Sequence, residues 1–151
     1  MPQAAPTAEL VAALLAALAV DRAVKRVAPW RGAPSAGRWL QVHRVLNRRP
    51  ALWPGSTSRA ALLWAACLAA ALSTLDVGGP LAGPSARLGL GAALGGAASN
   101  LLDAVRWGGV VDVLCWRGRR VFNVADLAIV AGLAAVALSG ALGLVAGTEG
   151  R

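Results

Sequence analysis

The sequence predicts an all-α membrane protein, with four transmembrane helices and a small cap at one membrane face, forming a single domain over residues 1–151. Three observations predict it. Hydrophobic residues make up 57% of the chain and charged residues only 15%, where a soluble domain carries about 25% charged residues. A chain of this length buries too small a share of its surface to hide that much apolar area from water, and it is far too apolar to be disordered. Four apolar stretches approach the roughly 20 residues a helix needs to cross hydrocarbon. All eight prolines fall outside those stretches, as an unbroken backbone ladder in lipid requires.

The first span covers about residues 8–28 and carries no charge from Leu10 to Val20. Asp21 and Lys25 stand four apart near its end, on one helical face, where they can pair. A salt bridge that seats the helix end among headgroups and a role in a functional site are both open readings. The leading stretch Met1–Leu10 has no Lys or Arg, and no small-x-small cleavage site follows the apolar run, so a removable signal peptide is not expected. Residues 29–57 form the first part of the cap. There Trp39–Leu46 reads as a short β-strand or as an amphipathic turn, and periodicity leaves both open.

The second span covers about 58–77 and holds Cys67, read as a buried small apolar residue. A short connection, Gly78–Ser85, leads to the third span at about 86–105. Gly91 and Gly95 give that helix a small-xxx-small face on which another backbone can approach closely. The cap resumes over 106–122, and the fourth span covers about 124–145.

Charge is distributed unevenly. The formal net charge is +8, and thirteen of the 15 Lys and Arg lie between Asp21 and Arg59 or between Asp103 and Val121. All six tryptophans are expected at or near that same end, and Trp favours the headgroup layer. The cations therefore point to membrane phospholipid as a partner and not to nucleic acid. Cys67 and Cys115 have neither metal-ligand spacing nor a disulfide framework. With His43 as the single histidine, a zinc site would lack ligands, and His43 is read as a solvated cap residue.

The segment Gly95–Gly132 concentrates the polar chemistry. Asn100 and Asp103 are three apart on one helical face. Asp112 follows Gly108-Gly109 and two valines, as if a bend presented a short extended piece. Asn123 is placed to cap the last helix, and Asp126 lies in the first turn, where the helix dipole favours a carboxylate. Two carboxylates from separate elements, brought together at a membrane interface, would hold one proton between them. The ionised member could then activate water while the protonated member polarised a carbonyl, as in an aspartic protease. Spacing alone does not establish that Asp112 and Asp126 meet.

Three pieces together resemble signal peptidase II, the bacterial lipoprotein signal peptidase family. They are Gly96-Ala97-Ala98-Ser99-Asn100-Leu101-Leu102-Asp103, then Val110-Val111-Asp112, then Phe122-Asn123-Val124-Ala125-Asp126-Leu127-Ala128-Ile129. The Asp-x-x-x-Lys of Asp21 and Lys25 matches that family's first helix, and chain length and span number agree. The resemblance implies an aspartic endopeptidase of the bacterial cytoplasmic membrane, acting at the extracytoplasmic face. Its substrates would be diacylglyceryl-modified prolipoproteins, cut just before the lipidated cysteine. Asp112 and Asp126 match the catalytic pair. Asp21, Lys25, Asn47, Asn100, Asp103 and Asn123 match supporting or substrate-binding positions, and Arg106 is a candidate to join them. No metal or organic cofactor is implied, and a monomer is expected.

The chain departs from the family pattern in three places. Ala104 stands where the family has Arg, with Arg106 two residues on. The first-loop pattern N-x-G-x-A-F is here Asn47-Arg48-Arg49-Pro50-Ala51-Leu52, and Val113 replaces a Phe after the first catalytic Asp. These departures motivate an alternative, a non-catalytic or divergent paralogue of the same fold that binds lipid, lipopeptide or a membrane partner. A channel or transporter subunit fits less well, because the charges lie at span ends and not along a midplane path. Orientation is in conflict. The positive-inside rule places the basic side in the cytoplasm, whereas the family places it outside; the family's orientation is expected, because its substrates carry their lipid in the outer leaflet.

Overall fold

The computed structural model describes residues 6–30, 39–48, 50, 55–74, 83–117 and 120–149. Among them are four helices, α1 (Pro6–Val27), α2 (Thr57–Thr74), α3 (Pro84–Trp107) and α4 (Val124–Glu149), and three strands, β1 (Leu40–Asn47), β2 (Val110–Trp116) and β3 (Arg120–Phe122). The fold is thus mostly helical, and the expected cap, for which short strands were one open reading, contains a small three-stranded sheet. Of the two readings open for Trp39–Leu46, the strand is the one observed. The expected connection Gly78–Ser85 falls largely outside the described residues, as do Trp53 and most of the altered first-loop pattern.

The helices extend the expected spans by a turn or less at most ends; the far end of the second span lies outside the described residues. Pro6 and Pro84 open α1 and α3, at the position where a missing N–H costs nothing. Among the described residues, α3, over Pro84–Trp107, and α4, over Val124–Leu142, are by themselves long and apolar enough to cross a membrane; α2 is a shorter apolar helix. In α1 the charged residues at both ends dilute the apolar run.

α3 is the central helix, and its glycines set how close its neighbours come. A Cβ on Gly91 would collide with the Leu10 carbonyl and one on Gly95 with Leu14, both on α1. On another side, a Cβ on Gly96 would stand 2.5 Å from the Ala125 carbonyl oxygen of α4. The contacts advance together along α1 and α3 and in opposite directions along α3 and α4, so these helices run parallel and antiparallel respectively. Against them Leu10, Ala71 and Leu94 form a buried cluster, with Trp64 and Leu68 packed on it. Trp64 corrects an expectation: its indole N–H donates to the Leu94 carbonyl at 2.9 Å, in mid-bundle and away from the cap. Cys67 also differs, being exposed on α2.

Along α4, from Val124 to Leu142, only Ala125 and Gly132 are buried, and Val130, Leu138 and Leu142 are mostly exposed. A helix so apolar on its outer surface requires an apolar solvent.

The sheet sits at the end of the bundle formed by the C-termini of α1 and α3 and the N-terminus of α4. Its order is β1-β2-β3, antiparallel throughout. The link from α3 explains the Gly-Gly pair. Gly108 adopts φ 66° and its N–H returns to the Ala104 carbonyl at 3.0 Å, closing the helix with the left-handed residue that suits glycine. A Cβ on Gly109 would lie 2.8 Å from the Asn47 carbonyl oxygen, so β1 packs directly on this residue.

Candidate active site

The polar residues converge where the helix ends meet the sheet, in two tiers joined by amides. The lower tier is ionic and buried. Lys25 Nζ lies 2.7 Å from Asp21 Oδ2 and 2.7 Å from Asp103 Oδ2. Arg22 pairs with the other oxygen of Asp103, and Ser99 Oγ donates to Asp21 Oδ2 at 2.6 Å. Two acids and two bases make the tier neutral, which is what allows full charges to be held away from water.

Both buried acids also grip backbone. Asp21 Oδ1 accepts the Ala125 N–H at 2.9 Å, and Asp103 Oδ2 accepts the Val111 N–H at 3.1 Å. Each of these N–H groups belongs to the residue just before one of the two aspartates of interest, Asp126 and Asp112.

Asn100 and Asn123 form the connection upward. Asn100 Oδ1 accepts from Lys25 at 3.3 Å and from Asn123 Nδ2 at 2.9 Å. Its oxygen is thereby fixed, and its Nδ2 donates to Asp126 Oδ1 at 2.9 Å. Asn123 caps α4 as expected: its Oδ1 accepts the Asp126 N–H at 2.8 Å, and Asp126 Oδ2 accepts the Asn123 N–H at 3.1 Å. This reciprocal pair is a capping box with Asp in the third position. The cap turns Asn123 Nδ2 toward Asp112 Oδ1, 3.0 Å away. From β1, Asn47 Nδ2 reaches Asp112 Oδ2 at 3.0 Å.

Asp112 and Asp126 therefore belong to one hydrogen-bond network, linked through Asn123 and Asn100, and no cation contacts either directly among the described residues. Asp112 is buried, with 3% exposure, and its carboxyl is pushed up from 3.8 to about 6. Burial is the main cause. The Asn47 hydrogen bond opposes it, the nearby Asp126 charge adds to it, and Lys25 and Asn123 oppose it again. Asp126 is less enclosed, so the pair is accessible from one side. Asp112, Leu114 and Trp116 share a face of β2, and their partners across the sheet add Leu40, Val42 and Phe122 to it. Leu40, Val42 and Trp116 remain about half exposed, so an open apolar strip leads up to Asp112.

Residues 13–142 match the family model described as Signal peptidase (SPase) II. The chain belongs to the signal peptidase II family. Lipoprotein signal peptidases of Moorella thermoacetica and Pelotomaculum thermopropionicum are 50% identical over 68 residues and 57% identical over 44 residues. These matches cover 45% and 29% of this chain and 44% and 29% of the relatives, so the chain spans less than half the length of the curated relatives it matches. Two solved structures of a bacterial membrane enzyme share the fold at a TM-score of 0.65, with 15% and 16% identity. They cover 86% and 94% of this chain and 90% of each neighbour.

Within this signal peptidase II family member, Asp21, Lys25, Asn47, Asn100, Asp103, Asp112, Asn123 and Asp126 come together. Arg106 does not: it is exposed and stacks its guanidinium 5.0 Å above the Trp107 ring. Ala104, at the family's Arg position, borders a cavity of about 40 Å³ that Arg48, Pro50 and Thr57 also line. His43 is buried at 2% exposure, with Nε2 lacking a partner among the described residues; it lies in a bulge of β1, between Val42 and Val45, and is not the solvated residue expected. Arg22 and Ser99 also take part in the site; the place of Arg22 next to Asp21 is the sequence signal for it, and Ser99 carries none beyond lying one residue before Asn100.

Proposed function

We propose that this protein is a lipoprotein signal peptidase, an aspartic endopeptidase that removes signal peptides from diacylglyceryl-modified prolipoproteins. The observation that carries the reading is the joining of Asp112 and Asp126 in one amide network, with one carboxyl raised to about 6. Below about pH 6 the pair holds a proton. Asp112, the more buried, serves as the acid; Asp126, whose carboxylate accepts a backbone N–H at a helix N-terminus, serves as the base.

Water placed between them loses a proton to Asp126 as its oxygen attacks the scissile carbonyl carbon. Asp112 gives its proton to the carbonyl oxygen, and a gem-diol results. Collapse of the diol breaks the C–N bond: Asp126 returns its proton to the leaving nitrogen and a diol hydroxyl proton returns to Asp112. A carboxylic acid and an amine are released. The apolar strip of Leu40, Val42, Leu114 and Trp116 suits an extended apolar signal segment whose scissile bond reaches Asp112.

α3 and α4 are the spans carried by length and composition, and α1 and α2, packed against α3, complete a four-span domain. At about 1.5 Å per residue, the 22 residues of α1 and the 24 of α3 extend about 33 and 36 Å, enough for a hydrocarbon core of about 30 Å. The 18 residues of α2 extend about 27 Å. The sheet end faces the extracytoplasmic side, as meeting substrates lipidated in the outer leaflet requires, and a single copy suffices because both aspartates come from one chain. Cleavage of a fluorescent diacylated peptide by the purified protein tests the activity. Binding of the lipopeptide without cleavage would favour the alternative, a divergent paralogue.

A further inference from the structure

We propose that Arg22 is a positioning residue for Asp112, acting through Asp103 on the backbone of β2. The inference rests on the catalytic reading above and concerns what holds that site in register. Asp103 is almost wholly buried and meets three donors: Arg22 on one oxygen, and Lys25 and the Val111 N–H on the other. Lys25 is shared with Asp21, so it does not by itself neutralise both acids. Arg22 supplies the second cation and orients the Asp103 carboxylate so that Oδ2 stays aimed at β2.

Val111 immediately precedes Asp112, and its N–H pins β2 to α3, while Asn123 holds the Val111 carbonyl and Asp112 from the α4 side. Asp126 has a matching anchor, because Asp21 pins the Ala125 N–H just before it. With Lys25 bridging Asp21 and Asp103, the spacing of the two aspartates is set by ionic contacts on α1 and α3, below the reacting groups. Arg22 is the member of this arrangement that reaches Asp103 alone, and it is partly exposed, with 23% of its side chain accessible. Losing it leaves Asp103 to turn toward Lys25 and release Val111.

A second ion pair joins the same two helices at their other end, Arg87 Nε to Glu9 Oε2 at 2.7 Å, and it serves as the control for simple helix tethering. In the full-length purified enzyme, Arg22→Gln is expected to lower kcat about tenfold or more while KM changes less than about twofold, because displacement of a reacting group costs rate more than binding. Arg22→Lys keeps the charge without the guanidinium fork and should lose about threefold to tenfold in kcat. Arg87→Gln should retain the wild-type kcat. Equal kcat for wild type and both Arg22 variants would overturn the proposal, as would an equal loss in Arg87→Gln. Should Arg22→Gln fail to accumulate, the kcat of Arg22→Lys decides in the same way. A wild type that does not cleave, or an Asp112→Asn variant that does, would instead refute the catalytic reading itself.

Discussion

At the scale of single residues, the site depends on which carboxylates are given cations and which are given amides. Asp21 and Asp103 take Lys25 and Arg22, while Asp112 and Asp126 take amide and backbone donors. A direct cation would hold both upper carboxylates ionised; neutral donors leave a proton available near pH 6. The pKa of Asp112 is raised on folding, so the folded state binds that proton more tightly than the unfolded chain does. The stability this brings is complete below about pH 4 and is lost as pH rises through about 6. Urea unfolding of wild type and Asp112→Asn should accordingly show the wild type losing ground to the variant between pH 4 and 7, and a constant difference would contradict the assignment. For the same reason kcat/KM should fall on the alkaline side of about pH 6 in the free enzyme, as the pair gives up its shared proton; a profile flat from pH 5 to 8 would speak against that.

At the scale of elements, close helix packing is what allows buried polar groups from α1 and α3 to touch. Gly95 lies against Leu14 of α1, one turn before Ser99 on α3. Gly95→Val is expected to destabilise the protein by about 1–3 kcal/mol through overpacking, and to reduce accumulation in membranes; wild-type thermal stability would show the contact to be slack. Much of this was legible. Gly91 and Gly95 announced a packing face, Asn123 announced a cap, and the Gly-Gly before Val110 announced the turn into a strand. β1 stayed ambiguous because its bulge at His43 and Arg44 breaks the alternation by which a strand is recognised. His43, at that bulge, is buried, which the local sequence pattern does not reveal.

At the scale of the whole molecule, composition alone announced the membrane, because no soluble domain of 151 residues can cover a 57% hydrophobic chain. The convergence of Asp112 and Asp126 was not legible from spacing; the matching motifs suggested it, and the geometry supplies the linking amides. Arg106 is close to Ala104 in sequence, whereas the cations that reach Asp103, Arg22 and Lys25, come from α1, 81 and 78 residues away. Trp64 misled in a similar way, since an indole N–H can be satisfied by a helix carbonyl as well as by an interface. The topology has its own test. A single cysteine introduced at Gly55, in a Cys67→Ser, Cys115→Ser background, should react with a membrane-impermeant maleimide in intact cells. Labelling only after lysis would place the basic end in the cytoplasm.

The account depends most directly on the joint action of two carboxylates. The measurement that addresses it is cleavage of a fluorescent diacylated prolipoprotein peptide by wild type, Asp112→Asn and Asp126→Asn, each purified from membranes in comparable amounts. Wild type should cleave before the lipidated cysteine, and either substitution should reduce turnover by about a thousandfold or more, as expected when an acid or base of the reaction is removed. Turnover by both variants at the wild-type rate would contradict the account.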